Sequence, residues 1–400
     1  MHQLLATWDP LLVVDLHVTD GAQFEHDVSI QVEPLYAGDA ALRVAGKAMR
    51  DEVIDELAGK GALPLAFYPS FVEFDNPQSG FVDGVSPPRF STGYFLLRNR
   101  FGMLVETHSW RPYPYRVKTT HDTILALVGQ TAAHGLDWMR IAADADARAV
   151  KLGGEPMPLS WEAGDKVRTV EFRGYEYTRT PSDISGALMT RYDETKPQVW
   201  KVPLRDDVQP ALVVPAPRAG YLVPPALAEA VAAKLGQHGI EVRRVGRALS
   251  DFDVEAFRAT KATFATGSME GHQRLTLEGD WEVETHDLPA GALFVPIAQP
   301  KARLVMALLE PQAPDALAAW GGFNNFFEQK EYMEAYVAES VARDMLAANP
   351  AVKAEFERRL REDEAFAKSP FARLQFFHQR HASWDQRLNL YPVLRVDTAP

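Results

Sequence analysis

Apolar positions in the first 150 residues fall into short continuous runs separated by segments of helical spacing. Leu11–Leu16 (LLVVDL) is apolar except at Asp15, the pattern of a strand covered on both faces. From Gly38 to Gly61, Leu42, Ala45, Met49, Val53, Ile54 and Leu57 recur at helical spacing, and Asp39 stands where an N-cap belongs. Leu63–Phe71 reads as a second strand, and Tyr94–Leu97 and Gly102–Val105 as short apolar segments flanking Arg98-Asn99-Arg100. Thr119–Ala143 reads as a helix. Between them Asp75–Arg89 (DNPQSGFVDGVSPPR) has no period and is rich in Gly and Pro, the composition of a loop that lines a site or closes over one.

The character changes near Gly153. Short strand-like runs (Val167–Tyr177, Pro210–Val214, Ile240–Val245, Ala292–Ile297), broken by Pro and Gly, predict a β-rich region interrupted by one helix at Pro225–Leu235. From Asp315 onward Phe326, Phe327, Met333, Tyr336, Val337, Val341 and Met345 recur every three or four residues, which predicts a helix ended by Asn349-Pro350 and followed by a charged one. The aromatic cluster Phe323, Phe326, Phe327, Tyr332 and Tyr336 reads as core packing. The organisation expected is an α/β domain over 1–150, a β-rich domain over 151–305 and a mainly helical segment over 306–400.

Charge and composition narrow the chemistry. With 42 Lys+Arg against 54 Asp+Glu, the formal charge of −12 argues against a sequence-independent nucleic-acid binder. Cysteine is absent, so thiolate nucleophiles and Cys-ligated zinc are excluded and any metal site must use His, Asp and Glu. No apolar stretch reaches the length of a membrane span. The start of the chain, with Asp9 and Pro10 before its apolar run, does not read as a signal peptide. There is no G-x-S-x-G elbow, Walker A or G-x-G-x-x-G motif.

Two windows carry chemistry. In Val13–Gly21 (VVDLHVTDG) an apolar strand delivers His17 at its carboxyl end, where α/β sheets bind ligands, with Asp15 and Asp20 near enough to orient it. In Phe101–Ser109 (FGMLVETHS) a second strand delivers Glu106, and a Glu held against apolar surface is suited to general-base work. A catalytic zinc takes three protein ligands, so His17 alone is insufficient. His238-x-x-Glu241, His378-x-x-His381 and His134-x-x-Asp137 have ligand-like spacing, but their surroundings read as helix ends and surface, and chance accounts for them.

The segments VVDLHVTDG, STGYFLLRNRFGMLVETHSWRPYPYRV (Ser91 to Val117) and Gln299 to Val337 resemble the zinc carboxypeptidases, the carboxypeptidase A-like metallopeptidases, in a bacterial branch. The resemblance implies a mixed-sheet, phosphorylase/hydrolase-like catalytic domain, Zn2+ as cofactor and hydrolysis of peptide bonds. It implies His17 as a zinc ligand, Glu106 as the base, Tyr94 as a substrate contact, and Asp15 and Asp20 as supports. It also implies that the family's His-x-x-Glu pair and its carboxylate-binding Asn-Arg pair would precede Met1, together with any signal peptide of an exported enzyme. Truncation is the favoured expectation, because Asp15, His17 and Glu106 keep their motif context. A degenerate paralogue serving as a binding or scaffold protein, a different site built from His108 with His17, and an N-acyl amino-acid amidohydrolase remain open.

Overall fold

The computed structural model describes residues 2–19 and 21–400. The chain is mixed α/β with several mixed sheets. It divides into two compact units. The first comprises the chain up to Glu255 with Val283–Trp320 and Val393–Pro400; the second comprises Ala256–Glu282 and Gly321–Pro392.

The first 150 residues contain helices α1 (His2–Trp8), α2 (Ala40–Gly59), α3 (Ser91–Leu97) and α4 (Tyr113–Ala149). Their strands are β1 (Leu12–Thr19), β2 (Val28–Glu33), β3 (Pro64–Leu65), β4 (Ser70–Phe71), β5 (Phe81–Val82) and β6 (Phe101–His108). One sheet has the order β1-β6-β2-β3, with β1 and β6 parallel and β2 antiparallel to β6. Strand alternation sends Val28, Ile30, Val32, Phe101, Met103 and Val105 to one face. There they pack on Leu42, Met49, Val53 and Leu57 of α2 and Ala126, Leu127 and Trp138 of α4. Asp39 caps α2 by accepting from Ala41 N (3.0 Å) and ties it to α4 through Arg148 (2.7 Å).

The remaining strands of the first unit are β7 (Pro156–Ala163), β8 (Arg168–Pro181), β9 (Leu188–Arg205), β10 (Val208–Pro215) and β11 (Gly220–Val223), followed by helix α5 (Pro225–Gln237) and strand β12 (Arg243–Arg244). The ribbon β13 (Leu249–Met269) and β14 (His272–Leu288) runs through both units; β15 (Leu293–Pro296), helix α6 (Ala302–Leu309) and the last strand, β16 (Leu394–Val396), return to the first. A second sheet, β4-β5-β9-β8, closes over Phe24, Phe81, Phe172 and Trp200. In the second unit α7 (Ala335–Ala348), α8 (Pro350–Glu362), α9 (Glu364–Lys368) and α10 (Pro370–His378) gather around Phe356, Phe366, Phe376 and Phe377.

Several expectations change. Leu63–Phe71 is not one strand but two dipeptide strands with an irregular stretch between. Tyr94–Leu97 belongs to α3, a helix buried along Thr92–Leu97 and therefore without a polar face to betray its period. The helix expected from Asp315 begins only at Ala335; before it lie turns and one 3-10 turn, Asn324–Phe326. Phe323 and Phe327 are buried there, whereas Tyr332 and Tyr336 are exposed and not core. The strand expected at Leu11–Leu16 forms as β1, but its residues are half-buried or exposed rather than covered on both faces, and it lies at a sheet edge.

Candidate functional site

Alternation that buries Met103 and Val105 and packs Val14 against them on the helix-covered face turns their neighbours to the opposite one. In the register, His17 stands beside Glu106, Asp15 beside Leu104, and Ser29 of β2 beside Glu106 on its other side. The opposite face of the sheet is consequently a polar strip running across three strands.

This strip floors a cleft of about 480 Å³. Asp15, His17, Gln31 and Glu106 face it from the sheet, Tyr68 and Asp83 from the loops, and Phe90–Thr92 from the start of α3. The loop comes this close because two glycines leave room. A Cβ on Gly93 would collide with the carbonyl oxygens of Ser86 and Pro87, and one on Gly102 would press on Thr92 Cα at 3.0 Å.

Asp15 organises one end of the cleft. His17 Nε2 donates to its Oδ1 (2.7 Å) and Ser91 Oγ donates to its Oδ2 (2.7 Å). Glu106 is 7% exposed, and its Oε2 is buried with no hydrogen-bond partner among the described residues. Burial pushes its carboxyl up from the ordinary range; His17 opposes the shift and Asp15 adds to it. At the opposite wall Asp83 accepts from Tyr36 Oη (2.7 Å) and Gly84 N (3.0 Å), and burial raises its pKa as well.

His17, Asp15 and Glu106 therefore meet in one cleft, as their strand-end positions suggested. Asp20 lies outside the described residues. Tyr94 does not line the cleft: its hydroxyl bonds His238 Nδ1 (2.9 Å), because α3 turns that side chain toward the end of α5. His108 does not join His17. It is fully buried, stacked on Trp110 (4.8 Å, 11°) with Phe24 edge-on at 4.6 Å, and among the described residues neither ring nitrogen has a hydrogen-bond partner. Desolvation pulls its pKa down to about 3. Arg98 and Arg100 lie at the opposite end of β6 from Glu106 and pair with Asp9 (2.8 and 2.5 Å).

No local motif in the sequence marks Asp83 or Gln31. The aperiodic loop around Asp83 signalled a site without indicating which residue mattered. Gln31 was legible in principle, because Val28-Ser29-Ile30-Gln31-Val32-Glu33 alternates strictly and places three polar residues on one face.

The donors present do not by themselves fit zinc. The cleft offers one imidazole, already bound to Asp15, and among the described residues no group of three or more His, Cys, Asp or Glu is placed to hold a metal. No helix among the described residues is long and apolar enough to cross a membrane. No family model, curated protein or solved structure matches the chain.

Proposed function

We propose that the cleft belongs to an amide-hydrolysing centre of the zinc carboxypeptidase type, with Glu106 as its general base. The observation that supports this reading is Glu106 itself: a nearly buried carboxyl with a partnerless oxygen, facing a cleft beside His17. A base so placed takes a proton from water and passes it to the departing amine, with its basicity raised toward neutrality by burial. His17 and the Asp15 that holds it form the neighbouring wall. The substrates suited to such a centre are peptides or N-acyl amino acids.

A second reading is favoured by the incomplete donor set: a binding or scaffold protein that keeps the fold without the reaction. The two separate in one experiment. The purified chain is assayed for bound zinc and for hydrolysis of peptide and N-acyl amino-acid panels, with and without added Zn2+ and with a chelator. Chelator-sensitive hydrolysis supports the enzyme. A zinc-free chain that stays inert after zinc addition, while still binding peptide, supports the scaffold.

A further inference from the structure

β1 is eight residues long and, among the described residues, hydrogen-bonded on one side only, to β6. The carbonyls of Leu11 and Thr19 accept from Phe101 N (3.0 Å) and Ser109 N (2.8 Å). Odd-numbered residues therefore turn their peptide groups toward β6, and Leu12, Val14, Leu16 and Val18 turn theirs outward. On the helix-covered face Leu12 and Val14 join the core, whereas Leu16 and Val18 are 45% and 51% exposed. An open edge with apolar side chains is a template for another strand.

The edge is complementary to itself. An antiparallel pair of β1 strands about a two-fold axis at Leu16 sets Leu16 against Leu16 and Val14 against Val18, with their outward peptide groups exchanging hydrogen bonds. On the cleft face the same register sets Asp15 against His17, carboxylate against imidazole, twice. Moving the axis to Asp15 would set carboxylate against carboxylate, and moving it to His17 would set imidazole against imidazole. Only the Leu16 register matches both faces.

We propose that the chain pairs with a second copy of itself, β1 to β1, in this register. The two sheets become one, Leu16 and Val18 are covered, and each His17 lies between its own Asp15 and the partner's Asp15. Each cleft then gains a carboxylate from the other chain, so the pairing also enlarges the donor set beside Glu106.

Sedimentation equilibrium of the full chain tests this. The wild type is expected at twice the chain mass. Leu16→Lys and Leu16→Glu put like charges face to face and should each sediment as monomers, while their equimolar mixture should dimerise. Leu16→Pro removes an outward N–H, leaves the bonds to β6 intact and should also be monomeric. Circular dichroism matching the wild type shows that the variants fold. A wild type that stays monomeric at high concentration overturns the proposal. So does a dimer that survives Leu16→Lys and Leu16→Pro, or a Lys/Glu mixture that stays monomeric.

Discussion

His17 and Glu106 occupy partnered positions on the parallel strands β1 and β6, two residues before the strands leave the pairing. Parallel pairing makes both side chains emerge on the same face and at the same end of the sheet, where ligands bind in α/β folds. Asp15 sits one side-chain repeat earlier on the same face and holds His17 Nε2 at 2.7 Å. The juxtaposition thus follows from register alone, with no loop needed to bring the groups together.

If the cleft hydrolyses amides as proposed, Glu106→Gln should lower that activity by about 10²–10⁴-fold, the usual contribution of a positioned general base. The residue must be ionised to act, and burial raises its pKa. Activity should therefore rise with pH along a limb displaced above the ordinary glutamate range, and the variant should lack that limb. A kcat/KM profile against pH measures both; a variant with an unchanged profile would remove Glu106 from the chemistry.

How much of this was legible depended on whether an element shows two different faces. β1, β6 and α2 were legible because apolar runs or a 3.6 period marked them, and the two site residues came with the strands that carry them. α3 and α6 were not, because α3 is buried from Thr92 to Leu97 and α6 from Leu304 to Leu309, and an element buried all round has no period. The ribbon β13–β14 escaped for the opposite reason: much of both strands is exposed, so polar residues fill them. Phe323, Phe326 and Phe327 have helical spacing, yet tertiary packing holds them in turns after Gly321, whose φ of 80° is outside helical values. Asp83 gained its role from burial against Tyr36, forty-seven residues away, and no local pattern encodes that.

Glu33 makes the fold sensitive to alkali. Burial pushes its carboxyl up to about 8, with Leu35 N opposing as a donor at 2.6 Å and Asp83 adding to the shift. The folded state keeps a proton that the unfolded chain loses near pH 4.5, so this stability is complete below that value and disappears as pH rises through 8. The loss between pH 5 and pH 8 is at most roughly 4 kcal/mol, at about 1.36 kcal/mol per pH unit. Glu33→Gln, which can still accept from Leu35, should flatten the decline. Urea midpoints at pH 5 and pH 9 should lie closer together in the variant than in the wild type.

His108 makes it sensitive to acid. Its folded pKa of about 3 lies below the unfolded value of 6.5, so between the two the unfolded chain binds the extra proton. Stability therefore falls as pH drops through 6.5, by roughly 3 kcal/mol on reaching pH 4. His108→Phe keeps a ring against Trp110 and Phe24 and removes the titration. The melting temperature of the variant should hold up better between pH 7 and pH 4, with a residual slope from His26, whose pKa burial also lowers. Equal slopes in wild type and variant would assign the acid response elsewhere.

Arg395 and Glu310 form a buried pair whose value lies in its completeness. They are 3% and 1% exposed, joined by two bonds (Nε to Oε1 2.8 Å, Nη2 to Oε2 2.5 Å), and Tyr221 Oη donates a third to Glu310 (2.5 Å). Arg395→Met keeps the volume but strands a carboxylate in the interior, which should cost about 3–5 kcal/mol. A stranded carboxyl can escape by protonation, so the penalty should be larger at pH 8 than at pH 5. Replacing both partners, Arg395→Met with Glu310→Leu, removes the unpaired buried carboxylate and should recover much of the loss. Urea unfolding of the two variants at both pH values measures this; a single variant as stable as the double would show that the pair contributes little.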